Sequence, residues 1–346
     1  MASDISSAYG WQTVDPMPTK RVFSTPVEAG GLLYVLGGCD AKGLPLNDFQ
    51  VYNPNASKKN RWKGLPNMPT KRAGTTAVAI GSKIIALGGV SSKQVPLDVV
   101  EIFDIEKNEW SSGDPMKEPL MGVSAVVMGG RVYVAGGMSI DTNPKNYFMS
   151  YNPDSNKWAS HPCMPSARYA TFSFLIGDKF YVLGGRQGKL PCDACEVYDF
   201  SSEKWTSLPS IPSKRVFAVY VASETHLFSL GGLNQNAHKD GFSDVLEVFD
   251  IEKGEWSTRT SMLNKRGDFA AAVLGGNVVA AGGLSNEGKP LSEAEVYDMK
   301  SDAWRPLSPM AHPHCSCAYT IYNQKLHIIG GLSMGGATNI VDTLHY

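Results

Sequence analysis

Two groups of closely spaced cysteine and histidine residues, the usual metal ligands and nucleophiles, stand out. Cys192 and Cys195 form a C-x-x-C pair, and His312, His314, Cys315 and Cys317 crowd into one short stretch far downstream. A tetrahedral zinc site needs about four such ligands, so a single site would have to draw on both clusters. The simpler reading is a set of small buried cysteines, which behave as compact apolar residues. No phosphate-cradling glycine loop and no nucleophile elbow is read in the sequence. The expectation is therefore no catalytic residue, no metal and no cofactor. A second kind of chemistry, recognition by cations and aromatics, emerges only from the elements that position such groups.

Those elements repeat. The seven tryptophans stand at 11, 62, 110, 158, 205, 256 and 304, and a glycine pair follows each one 26 residues later, beginning at 37, 88, 136, 184, 231, 282 and 330. Met17, Met68, Met116, Met164, Ile211, Met262 and Met310 lie six residues after the tryptophans. Each unit reads as four short strands, a to d, with tryptophan on strand d. Two-residue turns such as Gly30-Gly31, Gly81-Ser82 and Gly275-Gly276 suit a tight a–b hairpin with positive φ. Glu224-Thr225 and Asn323-Gln324 lack glycine, so looser turns are expected there. A longer loop leads to strand c, of the type EVYD or EIFD, and a polar turn returns the chain to tryptophan.

A period near 50 with a glycine doublet, a downstream Tyr or Phe and a Trp resembles the kelch repeat. The chain is similar to a kelch β-propeller over essentially its whole length. Pro16-Met17-Pro18-Thr19-Lys20-Arg21-Val22 and Gly184-Gly185-Arg186-Gln187-Gly188-Lys189-Leu190-Pro191 resemble the propeller-only kelch domain-containing protein eight group most. The implied fold is all-β and seven-bladed. Trp11 marks a strand d with no a, b or c before it, and the closing IVDTLHY reads as a strand c with no d after it. The expected organisation is a short extension over residues 1–10 and one propeller over 11–346, with the Trp11 strand completing the blade of residues 314–346. That leaves no room for a BTB or F-box domain.

Ten residues after the tryptophans stand Arg21, Arg72, Leu120, Arg168, Arg215, Arg266 and His314. In kelch domains that recruit substrates to ubiquitin ligases, arginines at this place face acidic peptides, and the resemblance implies the same use here. A structural reading competes. Two residues before the strand-c aromatic stand Gln50, Glu101, Met149, Glu196, Glu247, Glu295 and Leu344, so blades two, four, five and six hold both Arg and Glu, while three and seven hold neither. Such pairing fits buried ion pairs reaching over the glycines, because a buried charge is tolerated when paired. Arg72, Arg168, Arg215 and Arg266 are then structural or line a pocket rim. Arg21, with Gln50 in place of Glu, and Arg186, directly after a glycine pair, are the better partner-binding candidates. Phe23, Tyr169 and Phe217 near the same openings could stack on a peptide or fill the core.

The b-to-c loops are the longer ones, the longest running from Asn234 to Asp244, while blade one's extra residues fall in its c-to-d turn, Asn53 to Arg61. With 32 Lys+Arg against 33 Asp+Glu, no broad field exists for nucleic acid or anionic membrane. Six scattered cysteines and an N-terminus without a leader pattern point to the cytoplasm or nucleus. The expected function is a non-catalytic, monomeric protein- or peptide-binding module that uses its b-to-c and d-to-a loops, with an acidic partner, as an adaptor. A cytoskeletal or cell-division scaffold is the alternative. Some kelch propellers are copper oxidases or sugar epimerases, yet no set of His, Tyr and Cys recurs at one opening.

Overall fold

The computed structural model describes residues 5–234 and 241–346. Among the described residues there are seven four-stranded antiparallel sheets, three two-stranded ribbons and two short 3-10 turns, Ile5–Ala8 and Lys58–Asn60. No helix among them is long and apolar enough to cross a membrane. Every blade runs a-b-c-d in space; blade two, for example, comprises Thr76–Ile80, Lys83–Leu87, Val100–Asp104 and Glu109–Ser112. In blade seven the fourth strand is Gly10–Val14, which pairs with Val341–His345 from Gly10↔His345 to Val14↔Val341. The fold class is the seven-bladed β-propeller.

The chain forms two compact units. One, Phe23–Ser210, holds blades one to four; the other, Met1–Val22 with Ile211–Tyr346, holds blades five to seven. Within each unit the core lies between neighbouring sheets, because a lone blade has two apolar faces to cover. Ile85, Leu87 and Ile102 of blade two pack with Val132, Val134 and Tyr151 of blade three in one buried cluster. Burying side chains of this size stabilises by roughly 1.5–3 kcal/mol each.

The repeated residues explain how blades meet. The Met or Ile six positions after each tryptophan is buried in all seven copies. At Gly37, where φ is 59°, a Cβ would stand 2.8 Å from the Arg72 carbonyl oxygen and 3.2 Å from Met68 Cε of the next blade. Only glycine fits that approach and that backbone conformation. Tryptophans tie blades in a second way. Trp110 Nε1 donates to Pro66 O (2.7 Å), Trp158 to Asp114 O (2.8 Å), Trp205 to Pro162 O (2.8 Å) and Trp304 to Thr260 O (2.9 Å). Each acceptor lies in the segment leaving the preceding blade. Six of the seven tryptophans are half-buried, and Trp304 alone is buried.

The two glycine-free turns behave differently from each other. Asn323 and Gln324 both adopt positive φ (48° and 58°) and Tyr322 pairs directly with Lys325, so this turn is as tight as the glycine turns, contrary to expectation. Asparagine tolerates the left-handed region through its short polar side chain, which accounts for the first of the two positions. Around Glu224-Thr225 the a–b pairing stops at Ala222↔Leu227, and Ser223 Oγ bridges the wider loop by accepting from the Thr225 and His226 N–H groups.

Candidate functional site on the loop face of the blades

The cations ten residues after tryptophan are buried. Arg72 Nη2 lies 2.7 Å from Glu101 Oε2, Arg168 2.8 Å from Glu196, Arg215 2.9 Å from Glu247 and Arg266 2.7 Å from Glu295. Each guanidinium also donates to carbonyls of its own blade: Arg168 Nη1 reaches Gly184 O (3.0 Å) and Ala194 O (2.8 Å), and Arg266 Nη1 reaches Gly282 O (2.7 Å) and Glu293 O (2.9 Å). Burial pulls the Arg72 and Arg266 guanidinium pKa values down, and the facing carboxylates oppose it. All four arginines are closed to solvent, so they brace the glycine doublets and do not line a rim.

Two sequence expectations need correction. Blade seven does hold a pair. Ile328 faces Asp342, as Ala86 faces Glu101, so Asp342 occupies the carboxylate position and Leu344 the aromatic one. His314 Nε2 lies 3.0 Å from Asp342 Oδ2, and Thr13 Oγ1 donates to Oδ1 at 2.5 Å. Burial opposes ionisation of Asp342, but the bonds from His314 and Thr13 and the adjacent imidazoles hold its carboxyl below the ordinary value. The other correction concerns Arg21. It is as completely buried as the paired arginines, and its carbonyl accepts from Gly331 N at 2.9 Å, so it offers no guanidinium to a ligand at the surface.

Arg186 and Tyr169 are brought together. They form a backbone bridge at the start of blade four, with N···O distances of 3.1 and 2.8 Å, where the equivalent bridges of blades two and three join Ala73 to Val90 and Met121 to Met138. Tyr169 Oη donates to Gly188 O (2.8 Å), and Gln187 Nε2 to Ala167 O (3.2 Å). Both Arg186 and Tyr169 are half-buried. The GGRQGKLP segment thus folds into a small ribbon, Arg186–Gln187 with Leu190–Pro191, whose first residue is bridged through its backbone to Tyr169.

Phe23 and Phe217 sit elsewhere, at equivalent places in blades one and five. They are 53% and 51% exposed, with φ of 53° and 57°. A bulky residue in the left-handed region is a real outlier. The residues twelve positions after tryptophan, Phe23, Gly74, Gly122, Ala170, Phe217, Asp268 and Ser316, share this conformation. In it the chain can pass a bond from blade to blade: Ala170 N donates to Gly122 O (2.8 Å), and Asp268 N to Phe217 O (3.2 Å). Burial raises the Asp268 carboxyl pKa, while the Ser316 hydroxyl donates to it. Sequence reasoning named the two phenylalanines but missed the position; the two glycines among its seven occupants were the available signal.

Thiol chemistry has little support. Burial pushes Cys195 up to about 12 and Cys315 up to about 11, and raises Cys317 as well, so these thiols stay protonated. Among the described residues no three His, Cys, Asp or Glu gather around a metal-sized space. Gly331-Leu332-Ser333-Met334-Gly335 carries the letters G-x-S-x-G, which the sequence reading passed over. It lies on a hairpin ribbon, Leu332–Ser333 with Gly336–Ala337, instead of a strand-to-helix turn, and Ser333 Oγ donates to Gly336 O (3.2 Å). In the long loop of blade five, residues 235–240 lie outside the described residues. Its far end docks on blade six, with Phe242 N donating to Asn286 Oδ1 (2.5 Å).

Comparison with known proteins places this geometry. Residues 122–331 match the family described as KLHDC2/KLHL20/DRC7 Kelch-repeats domain, and residues 6–191 match the Attractin/LZTR1 beta-propeller. Kelch domain-containing protein 8B of Mus musculus is 39% identical over 158 residues, covering 43% of this chain and 45% of that protein. The F-box/kelch-repeat protein SKIP30 of Arabidopsis thaliana is 34% identical over 111 residues, 30% of this chain and 32% of that protein. The matches thus span less than half the length of these relatives. Among solved structures, that of YjhT superposes with a TM-score of 0.66 at 16% identity, over 85% of this chain and 99% of that one.

Proposed function

We propose that this chain, which belongs to the kelch-repeat family, is a non-catalytic module that binds a protein or peptide on its b-to-c and d-to-a loops. One observation carries the reading: Phe23 and Phe217 expose their rings from a backbone conformation that disfavours them. An aromatic kept at solvent on strained backbone is an unfavourable choice for folding, and such outliers gather at ligand-contacting positions. Exposed aromatics supply large contact area at low entropic cost. Kinship with an F-box/kelch-repeat protein supports the adaptor form of the reading.

The test is selection of a random displayed peptide library on the immobilised chain, repeated on the Phe23→Ser, Phe217→Ser double variant. Peptides that share a consensus and lose affinity on the double variant are the expected result. No enrichment above an empty support would overturn the reading.

A further inference from the structure

Between blades one and two, both inside the Phe23–Ser210 unit, lies a cavity of about 340 Å³ lined by Phe23, Cys39, Pro45, Ala73, Val90 and Gln94 among others. Four backbone segments build it: the turn entering blade one, the b-to-c loop of blade one, the start of blade two and the b-to-c loop of blade two. The bridge Cys39↔Pro45 closes the blade-one loop, and Ala73↔Val90 and Val90↔Pro96 tie the start of blade two to its own b-to-c loop. The walls are mainly apolar. Phe23 in the wall is 53% exposed, and Leu44 and Val95, sequence neighbours of the lining residues Gly43 and Gln94, are 52% and 37% exposed. Apolar surface clustered in this way on a soluble protein marks a contact site. The volume lies at the low end of ligand pockets, roughly 300–1,000 Å³, and suits a side chain better than a cofactor.

Charge selects the occupant. Lys42 adjoins the lining residue Gly43, Lys93 lies between Ser92 and Gln94, and Lys71 precedes Ala73 by two; all three are exposed. Arg72 in the same stretch is consumed by Glu101. The lone acid in these segments, Asp40, turns Oδ1 onto the N–H groups of Lys42 and Leu44 (2.8 and 2.9 Å), which closes its own loop. An apolar hole lined by segments that carry three exposed lysines complements an apolar side chain flanked by carboxylates.

We infer that this cavity seats one bulky apolar side chain of an acidic linear peptide, whose flanking carboxylates meet Lys42, Lys71 and Lys93. The inference rests on the peptide-binding reading and assigns it a partner chemistry and a place. Lysines act as flexible point charges, so binding weakens as salt is added.

The experiment repeats the displayed-library selection on the full chain, then measures the enriched peptides by fluorescence anisotropy against two variants. Ser92→Trp closes the mouth from an exposed position, and the Lys42→Glu, Lys71→Glu, Lys93→Glu triple variant reverses the lysines' charge; unchanged melting of both guards against misfolding. The expected consensus is net acidic with one Leu, Ile, Phe or Met, and each variant weakens it at least about tenfold, or about 1.4 kcal/mol. Peptides that are enriched but bind both variants as well as the parent overturn the cavity and leave the binding module standing. A basic or neutral consensus also overturns the inference. An absence of enrichment overturns both.

Discussion

Blades three and four occupy neighbouring places in one unit and fill the same interior position with opposite chemistry. Blade four uses Arg168 and Glu196, 2.8 Å apart and closed to solvent. Blade three uses Leu120 and Met149, equally buried and part of a continuous apolar cluster. The glycine doublet and the strand registers around both pairs are alike. A position that accepts either solution cannot owe its arginine to a ligand, and a buried ion pair is often replaceable by apolar residues of similar volume. The cation row is therefore scaffold, and recognition has to be sought in residues that point outward.

The sharpest way to break this comparison is Arg168→Leu alone, which strands Glu196 and should destabilise by about 3–5 kcal/mol in chemical denaturation. Adding Glu196→Met rebuilds the blade-three solution and should recover most of that loss. Equal single and double variants would refute the equivalence.

Blade seven tests whether an imidazole there makes the fold acid-sensitive. Burial, with the charge of Lys325 and against a bond to its carbonyl, pushes His327 down to about 4. The unfolded chain takes up this proton near the ordinary value of about 6.5, so the folded state is penalised as pH falls from there. Stability should drop by about 3 kcal/mol between those two values and level off below the lower one. His327→Gln should flatten that slope; an unaltered profile would remove His327 as the cause.

At the seam between blades three and four, Trp205 meets the Phe148 ring at 5.1 Å and donates to Pro162 O. Trp205→Ala should cost about 3 kcal/mol, at the low end for aromatic truncation because the ring is half-buried. A thermal shift near zero would show that the seam does not depend on it. The smallest expected effect is at Ala170, whose φ of 52° strains an L residue. Ala170→Gly should raise stability by up to about 1 kcal/mol, since relieved strain exceeds the added chain entropy. A drop would mean that the conformation is not strained.

Much of the scaffold is legible in the spacing of tryptophans and glycine doublets, because each is tied to a contact that tolerates no other residue, as Gly37 is against Arg72 O. The ion pairs are legible for a related reason: Arg and Glu are present together in blades two, four, five and six. Blade seven escaped because its repeat was aligned on the final aromatic, Tyr346, whereas pairing places Asp342 opposite Ile328. A shift of two residues keeps every side chain on the same sheet face, so alternation could not expose the error. Burial of Arg21 was invisible, as nothing in composition distinguishes a guanidinium over a glycine pair from one beside it. The cavity between blades one and two was hidden for another reason, since it belongs to segments distant in sequence.

The shared left-handed residue at each blade's threshold has an evolutionary consequence. Its φ lies between 49° and 65° whether the occupant is Phe23, Gly74, Gly122, Ala170, Phe217, Asp268 or Ser316. Backbone geometry there is fixed while side-chain identity varies, so the position works as a socket. Mutation can swap a ring for a carboxylate or a hydroxyl without disturbing strand register, at a strain already present in five of the seven copies. A lineage could thus rewrite the chemistry of this face one socket at a time and keep its architecture throughout.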